Sequence, residues 1–284
     1  MTSRRDALKS LAALTAAGLL PRSAFSLDGA VPRRDRIERV GLQLYTVRSL
    51  MTKDMPGTLA AVAKLGYREV EFAGYFGRTP AEVKALLAQY GLTAPSTHLG
   101  LDAVQKGYAE TAEAAHTIGI KYLTVASLDM RGIKSEDDWK RTADAFNEAG
   151  RRAKADGLRF AYHNHSVEFT PAEGVIPMEI LLGRTDPALV AFELDMYWCV
   201  KAGHDPRNWF ARFPGRFEMV HVKDATAAPA LAMTDVGSGT LDWKGYFARH
   251  KQAGIQHYFV EHDNPADPLD SVRKSANYLS SLTF

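Results

Sequence analysis

One recurring phrase constrains these 284 residues more than any other feature. A helix-like pattern ends at glycine, a short link follows, and an apolar, strand-like run begins. It reads Leu65-Gly66-Tyr67-Arg68-Glu69-Val70, then Ile118-Gly119-Ile120-Lys121-Tyr122-Leu123, then Ala253-Gly254-Ile255-Gln256-His257-Tyr258. Glycine suits the left-handed residue that closes a helix. The runs that follow are rich in β-branched and aromatic residues, as strands covered on both faces should be. Strand candidates are Val40 to Val47, Glu69 to Phe72, Thr93 to Thr97, Tyr122 to Val125, Arg159 to Tyr162, Val190 to Leu194, Met219 to Val222 and Tyr258 to Val260. Amphipathic helices fall between them, among them Pro80 to Tyr90, Tyr108 to Ile118 and Asp137 to Ala155. Eight such units predict an α/β fold, a single (β/α)8 TIM barrel over residues 37–284, close to the ~250 residues that fold takes. An open doubly wound sheet would call for a glycine-rich phosphate turn after the first strand. The chain has Thr46-Val47-Arg48-Ser49 there.

In such a barrel, side chains at the C-terminal strand ends converge on one mouth. Four late strands end in residues able to hold a cation: His163, His165 and Glu168 after the fifth, Asp195 after the sixth, His221 on the seventh, Glu261 after the eighth. Glu168, Asp195, His221 and Glu261 make an oxygen-rich set for one divalent metal ion, suiting Mn, Mg or Co and less diagnostic of Zn. Imidazole titrates near neutrality, so His163 and His165 are candidates for proton transfer. Lys223, two residues beyond His221, shares its strand face and can meet a substrate oxygen. Glu71, His98, Gln43 and Tyr45 end earlier strands and are candidate substrate contacts, as are His204 and Trp198. Phe169 and Tyr75 could stack on a sugar face. Asp205-Pro206 fits a helix N-cap with proline behind it. The loop from Ala225 to Thr240 is long enough to close over a ligand.

The N-terminus carries a different signal. Arg4-Arg5 precedes Leu8 and Lys9, the short apolar run Leu11 to Leu20, and small residues up to Ser26. This pattern predicts an export signal over residues 1–26, twin-arginine-like although Ala7 replaces the usual Phe, then a linker over 27–36. The apolar run is too short for a bilayer-spanning anchor. A periplasmic location follows, with no stable membrane anchoring after processing. Losing Arg4, Arg5, Lys9, Arg22 and Asp6 turns the net charge from +2 to −1. A near-neutral chain without a basic face argues against a nucleic-acid partner. The single cysteine, Cys199, excludes an internal disulfide. Homo-oligomerisation stays open.

The motifs carry a resemblance. Gly41 to Arg48, Tyr162-His163-Asn164-His165 with Glu168-Phe169, Leu194-Asp195, His221-Val222-Lys223-Asp224, and Gly237-Ser238-Gly239 with Asp242-Trp243 resemble the xylose isomerase-like barrel superfamily, in its sugar phosphate isomerase/epimerase branch. The resemblance covers nearly everything after the linker. It implies a metal held by Glu, Asp, His and Glu, with the first and last glutamates exchanging the substrate proton. Carried over, these fall on Glu168, Asp195, His221 and Glu261. Ketose epimerase relatives place the first glutamate inside strand five, where this chain has Ala161 or Tyr162. Either Glu168 reaches the metal through a bulge, the favoured expectation, or His163 or His165 takes that place. The implied activity is a metal-dependent isomerase or epimerase working through an enediolate on a sugar or keto-sugar. A lyase or dehydratase of a 3-keto-glycoside or inosose is the nearest alternative. A non-catalytic periplasmic sugar-binding protein is the non-enzyme reading. An apurinic-site endonuclease would need a basic face. Fold analogy does not choose the reaction.

Overall fold

The structure is a computed structural model, and it describes residues 35–284. The expected export signal lies outside the described residues, and so does nearly all of the linker. Eight parallel strands close a barrel: β1 Val40–Gln43, β2 Glu69–Phe72, β3 Thr93–Gly100, β4 Tyr122–Ser127, β5 Arg159–His163, β6 Val190–Asp195, β7 Phe217–Val222 and β8 His257–Val260. Each strand pairs with its sequence neighbours, and β1 with β8 closes the ring, Gly41 beside Phe259. All eight expected strands are present. β1 is the one that stops early: Gln43 folds back to accept from the Tyr45 amide at 3.0 Å, and Leu44–Val47 becomes a 3-10 turn.

Helices cover the barrel where the sequence puts them. Pro80–Tyr90 opens with a capping box of Thr79 and Glu82 and closes on Gly91 at φ 66°. Glu136–Ala155 opens with a second box of Ser135 and Asp138. Asp205 caps Pro206–Arg212 through the Arg207 amide, with Pro206 in the first turn, as expected. Among the described residues no helix is long and apolar enough to cross a membrane.

Strand residues alternate between two cores. Outward-facing Phe160, Tyr162, Phe192, Leu194, Val220 and Val222 pack under the helices in one large cluster, and Tyr162 lies 4.8 Å from the Phe146 ring of Glu136–Ala155. Inward-facing Tyr122, Ala161, Ala191, Met219 and Phe259 form a small separate cluster that plugs the barrel. Gly41 is required there, because a Cβ would lie 2.6 Å from the Phe259 ring. Cys199 is buried and free. With the interior plugged, the polar inward positions above it form a floor that faces the mouth.

Candidate active site

The same alternation sets that floor. One step up from the plug, the inward positions are Gln43, Glu71, Ser96, His98, Thr124, His163, Glu193, Asp195, His221 and Lys223, with Glu261 just past β8. All are buried except His98, which is partly exposed. Glu71 accepts from Gln43 at 2.8 Å and from Ser96 at 2.5 Å. His98 Nε2 bridges Glu71 (3.1 Å) and Glu193 (2.8 Å). His221 Nε2 lies 2.7 Å from Glu71 and 3.2 Å from Glu193, while its Nδ1 lies 2.7 Å from Glu261. His163 likewise straddles two carboxylates, with Nδ1 3.2 Å from Glu193 and Nε2 3.7 Å from Asp195. Lys223 Nζ lies 3.0 Å from Asp195, 2.7 Å from Glu261 and 2.8 Å from Asp263.

This crowding separates the imidazoles electrostatically. Burial opposes charge on His221, but Glu193 and Glu261 outweigh it and raise its pKa well above the usual value. His98 is pushed up to about 9, because Glu71 and Glu193 overcome the same burial cost. His163 goes the other way: burial, reinforced by the His221 charge, holds it well below 6.5. Burial also lowers His165. Burial disfavours the Lys223 ammonium, yet Asp195, Glu261 and Asp263 keep it charged. Burial would raise Glu261, but Lys223 and His221 hold it well below the carboxylate range.

The donors fit a divalent cation. Two groups have ligand atoms within 4.8 Å of one another: Asp195, His221 and Glu261, and His98, His163, Glu193 and His221. Buried polar atoms are normally paired. Here His163 Nδ1, Glu193 Oε1 and Asp195 Oδ2 make no hydrogen bond; Lys223 is close enough to Asp195 Oδ2 for an ion pair but poorly angled.

Asp195, His221 and Glu261 therefore come together as expected, and Glu168 does not join them. Glu168 is in neither donor group among the described residues. It accepts from the Tyr162 hydroxyl and, at 2.8 Å, from the His165 amide. The cause is parity: Tyr162 points outward, so the carboxylate that meets its hydroxyl is committed to the helix side of β5. The inward position at that strand end belongs to His163. Glu193 is the floor residue that the sequence reading passed over. Its spacing of two from Asp195 was the available signal, since both must share a strand face.

Other expected residues divide. Glu71 and His98 are central, and Gln43 braces Glu71 from below the surface. Tyr45 is exposed, with the Arg48 guanidinium 3.9 Å over its ring. The Trp198 amide donates to Asp195 Oδ1 at 2.9 Å, and its ring lies 5.9 Å from His165. His204 is turned away from the mouth: its Nε2 meets the Phe169 carbonyl at 3.1 Å, and its ring packs on Phe169 and Trp209. Phe169 is thereby packing, as is Tyr75 against Phe72. The loop over 225–240 is pinned rather than free. Asp224 accepts from the amides of Gly237, Gly239 and Leu241 and from the Trp243 indole, and the loop tip is held by Tyr197 and Lys201 at Leu231. Gly239 allows this approach, for a Cβ would lie 2.2 Å from the Asp224 carboxylate.

Above the floor opens a cavity of about 470 Å³ lined by Tyr45, His98, His163, His165, Lys223 and Glu261 among others. That volume lies in the range that small-molecule ligands occupy. Comparison with known proteins agrees with this architecture. A profile of the xylose isomerase-like TIM barrel family matches residues 59–282. An inosose dehydratase of Geobacillus kaustophilus is 27% identical over 248 residues, spanning 71% of this chain and 80% of that protein. Inosose dehydratase 1 of Bacillus cereus is 25% identical over 261 residues, spanning 78% and 87%. A crystal structure of a sugar phosphate isomerase/epimerase from Parabacteroides distasonis superposes with a TM-score of 0.76 at 28% identity, covering 84% of this chain and 92% of its own.

Proposed function

Because this chain belongs to the xylose isomerase-like TIM barrel family, we propose that it is a dehydratase-type lyase. It removes a proton beside the carbonyl of a sugar-like ketone and expels the β-hydroxyl as water. The carrying observation is the exchange at the end of β5, where imidazoles occupy the mouth and Glu168 is bonded to Tyr162 and the His165 amide. The pairing of Glu168 with Glu261, by which a proton would pass between two faces of a substrate, is then not available. A single imidazole that takes a proton and returns it to a leaving hydroxyl is. The names of the curated relatives support the same outcome.

Asp195, His221 and Glu261 would hold the divalent ion. When bound, it supplies a Lewis acid that makes a C–H beside a carbonyl more acidic. His165 lines the cavity, belongs to neither donor group, and is kept neutral by burial. It takes the carbon-bound proton as general base. The β C–O bond then breaks, and the His165 imidazolium returns the proton to the departing oxygen, so that water leaves. Lys223 presents its ammonium to the carbonyl oxygen as negative charge develops there. Glu168 positions His165 through its backbone amide. The isomerase or epimerase reading rests on the Parabacteroides neighbour and shares the first proton removal.

The discriminating experiment incubates metal-loaded protein with inososes and 3-keto-glycosides in deuterated water. Loss of a hydroxyl, seen by NMR and mass, is the expected result. Deuterium entering one carbon of an intact skeleton would replace this reading with the isomerase one, and no exchange with any ketone would leave a binding protein. The export reading of residues 1–26 stands as a proposal as well. Changing Arg4 and Arg5 to Lys is expected to hold the protein in the cytosolic fraction, and unchanged fractionation would overturn it.

A further inference from the structure

We propose, resting on the metal-donor role of Asp195 and the general-base role of His165 given above, that Asn164 is a positioning residue whose buried carboxamide holds both in one frame. The ladder between β5 and β6 runs from Phe160 beside Val190 to His163 beside Glu193 and stops there. β6 continues for two more residues, and Asp195 is still paired with His221 of β7. Its own N–H and C=O are left on the side where β5 has ended. Asn164, fully buried, fills that gap with its side chain. Its Oδ1 accepts from the Asp195 amide at 3.1 Å, and its Nδ2 donates to the Asp195 carbonyl at 3.4 Å and the His165 carbonyl at 3.3 Å. The carboxamide stands in for one more peptide of β5. Its orientation is settled, since only the oxygen can face an N–H and only the amino group can face two carbonyls.

Each contact bears on an atom of the mouth. The Trp198 amide takes Asp195 Oδ1 at 2.9 Å, so Oδ2, which makes no hydrogen bond, is the oxygen left for a cation. The direction of Oδ2 follows from the main chain on either side of the Asp195 Cα, and Asn164 grips both sides. His165 is likewise held at both main-chain groups, its N–H by Glu168 at 2.8 Å and its carbonyl by Asn164. Its ring lines the cavity. The competing account is a plain strand terminator, an asparagine that satisfies itself where β5 stops. Such a residue would stabilise the fold and leave donor and base alone. Against it, all three side-chain bonds of Asn164 go to the two residues on which metal binding and proton transfer depend.

Two variants separate the accounts. Asn164→Leu keeps the branched shape and removes donor and acceptor alike, whereas Asn164→Asp keeps the acceptor and removes the donor. Affinity for Mn2+ alone is read by electron paramagnetic resonance, and exchange of the Asp195 amide by NMR, both without substrate. In wild type that amide should exchange as slowly as those of the β6 ladder. Asn164→Leu should expose it and weaken Mn2+ binding by ~10–100-fold. Asn164→Asp should keep the amide protected and Mn2+ bound, while kcat at saturating Mn2+ falls ~10-fold because the His165 carbonyl is released. Wild-type Mn2+ affinity in a folded Asn164→Leu, wild-type kcat in a folded Asn164→Asp, or a wild-type Asp195 amide that exchanges like a loop would each overturn the proposal. The first two are what a strand terminator gives, with only the denaturation midpoint lowered. If neither variant folds, the wild-type amide decides. Mn2+ affinity and amide exchange stand whether or not water is eliminated from a ketone, so failure of the dehydratase reading is told apart from failure of this one.

Discussion

The two ends of this barrel are built from nearly the same side chains and differ in how completely those chains are used. At the N-terminal end, Glu218 accepts from the Tyr122 hydroxyl at 2.8 Å and from Arg159 at 2.5 Å, Arg159 also reaches the Pro187 carbonyl, and His257 lies 2.8 Å from Glu69. Each of these groups has found its partner within the protein. At the C-terminal end, His163, Glu193 and Asp195 each keep a buried polar atom without a hydrogen bond. Trp198 Nε1, beside them, is in the same state; at the N-terminal end the one such atom among the described residues is Arg216 Nε, just ahead of β7. Closed networks stabilise a fold; open ones wait for something that completes them. The difference, rather than the number of charged groups, marks the mouth as the site.

The comparison is broken most severely at the mouth. Asp195→Asn removes a donor from the Asp195, His221 and Glu261 group, and with it several kcal/mol of transition-state stabilisation, so kcat/KM should fall by ~10³–10⁴-fold. Turnover close to wild type would mean that this donor group has no part in the reaction. His165→Asn should lower kcat by ~10²–10³-fold while leaving bound metal unchanged. The wild-type pH profile sharpens this. Burial depresses the His165 pKa below 6.5, so the neutral base persists through neutrality. kcat/KM should stay flat there and decline only as the pH drops through that lowered value. A decline centred above 7 would point to a different base.

A smaller effect is expected at Glu168, where sequence and structure part. The eight strands were legible because parallel-barrel strands are short apolar runs, and the glycine-ended helices fix where each begins. Asp195, His221 and Glu261 were legible because strand ends in a barrel share one mouth. What a sequence carries poorly is parity after a strand ends. His163 is the last inward residue of β5; beyond it the chain turns, and Glu168, five residues on, was free to return to either face. The outward Tyr162 hydroxyl decides it. Glu193 was missed for the opposite reason, because a carboxylate inside an apolar run is overshadowed by the Asp195 that ends it. Glu168→Gln should therefore preserve metal content and lower kcat by only ~10-fold, through a less firmly held His165. Loss of metal in that variant would restore the ligand role the sequence suggested.

The smallest effect on turnover is predicted at the opposite end, where Glu218→Gln tests whether a closed network is structural alone. The substitution keeps the shape of the side chain and removes the charge that Arg159 faces. Both groups retain some solvent contact, 14% for Glu218 and 18% for Arg159, so water screens part of the loss. The cost should be about 1–2 kcal/mol, well short of that for a fully buried pair. Chemical denaturation would read this as a lower midpoint with an unchanged slope. kcat, KM and bound metal should match wild type, because the plug of Tyr122, Ala161, Ala191, Met219 and Phe259 lies between this network and the floor. Tyr122 belongs to both plug and network, and it is the one route by which the change could travel upward. A shift in kcat without a shift in stability would show that Tyr122 transmits it, and the two ends would then have to be treated as one polar system running the length of the barrel.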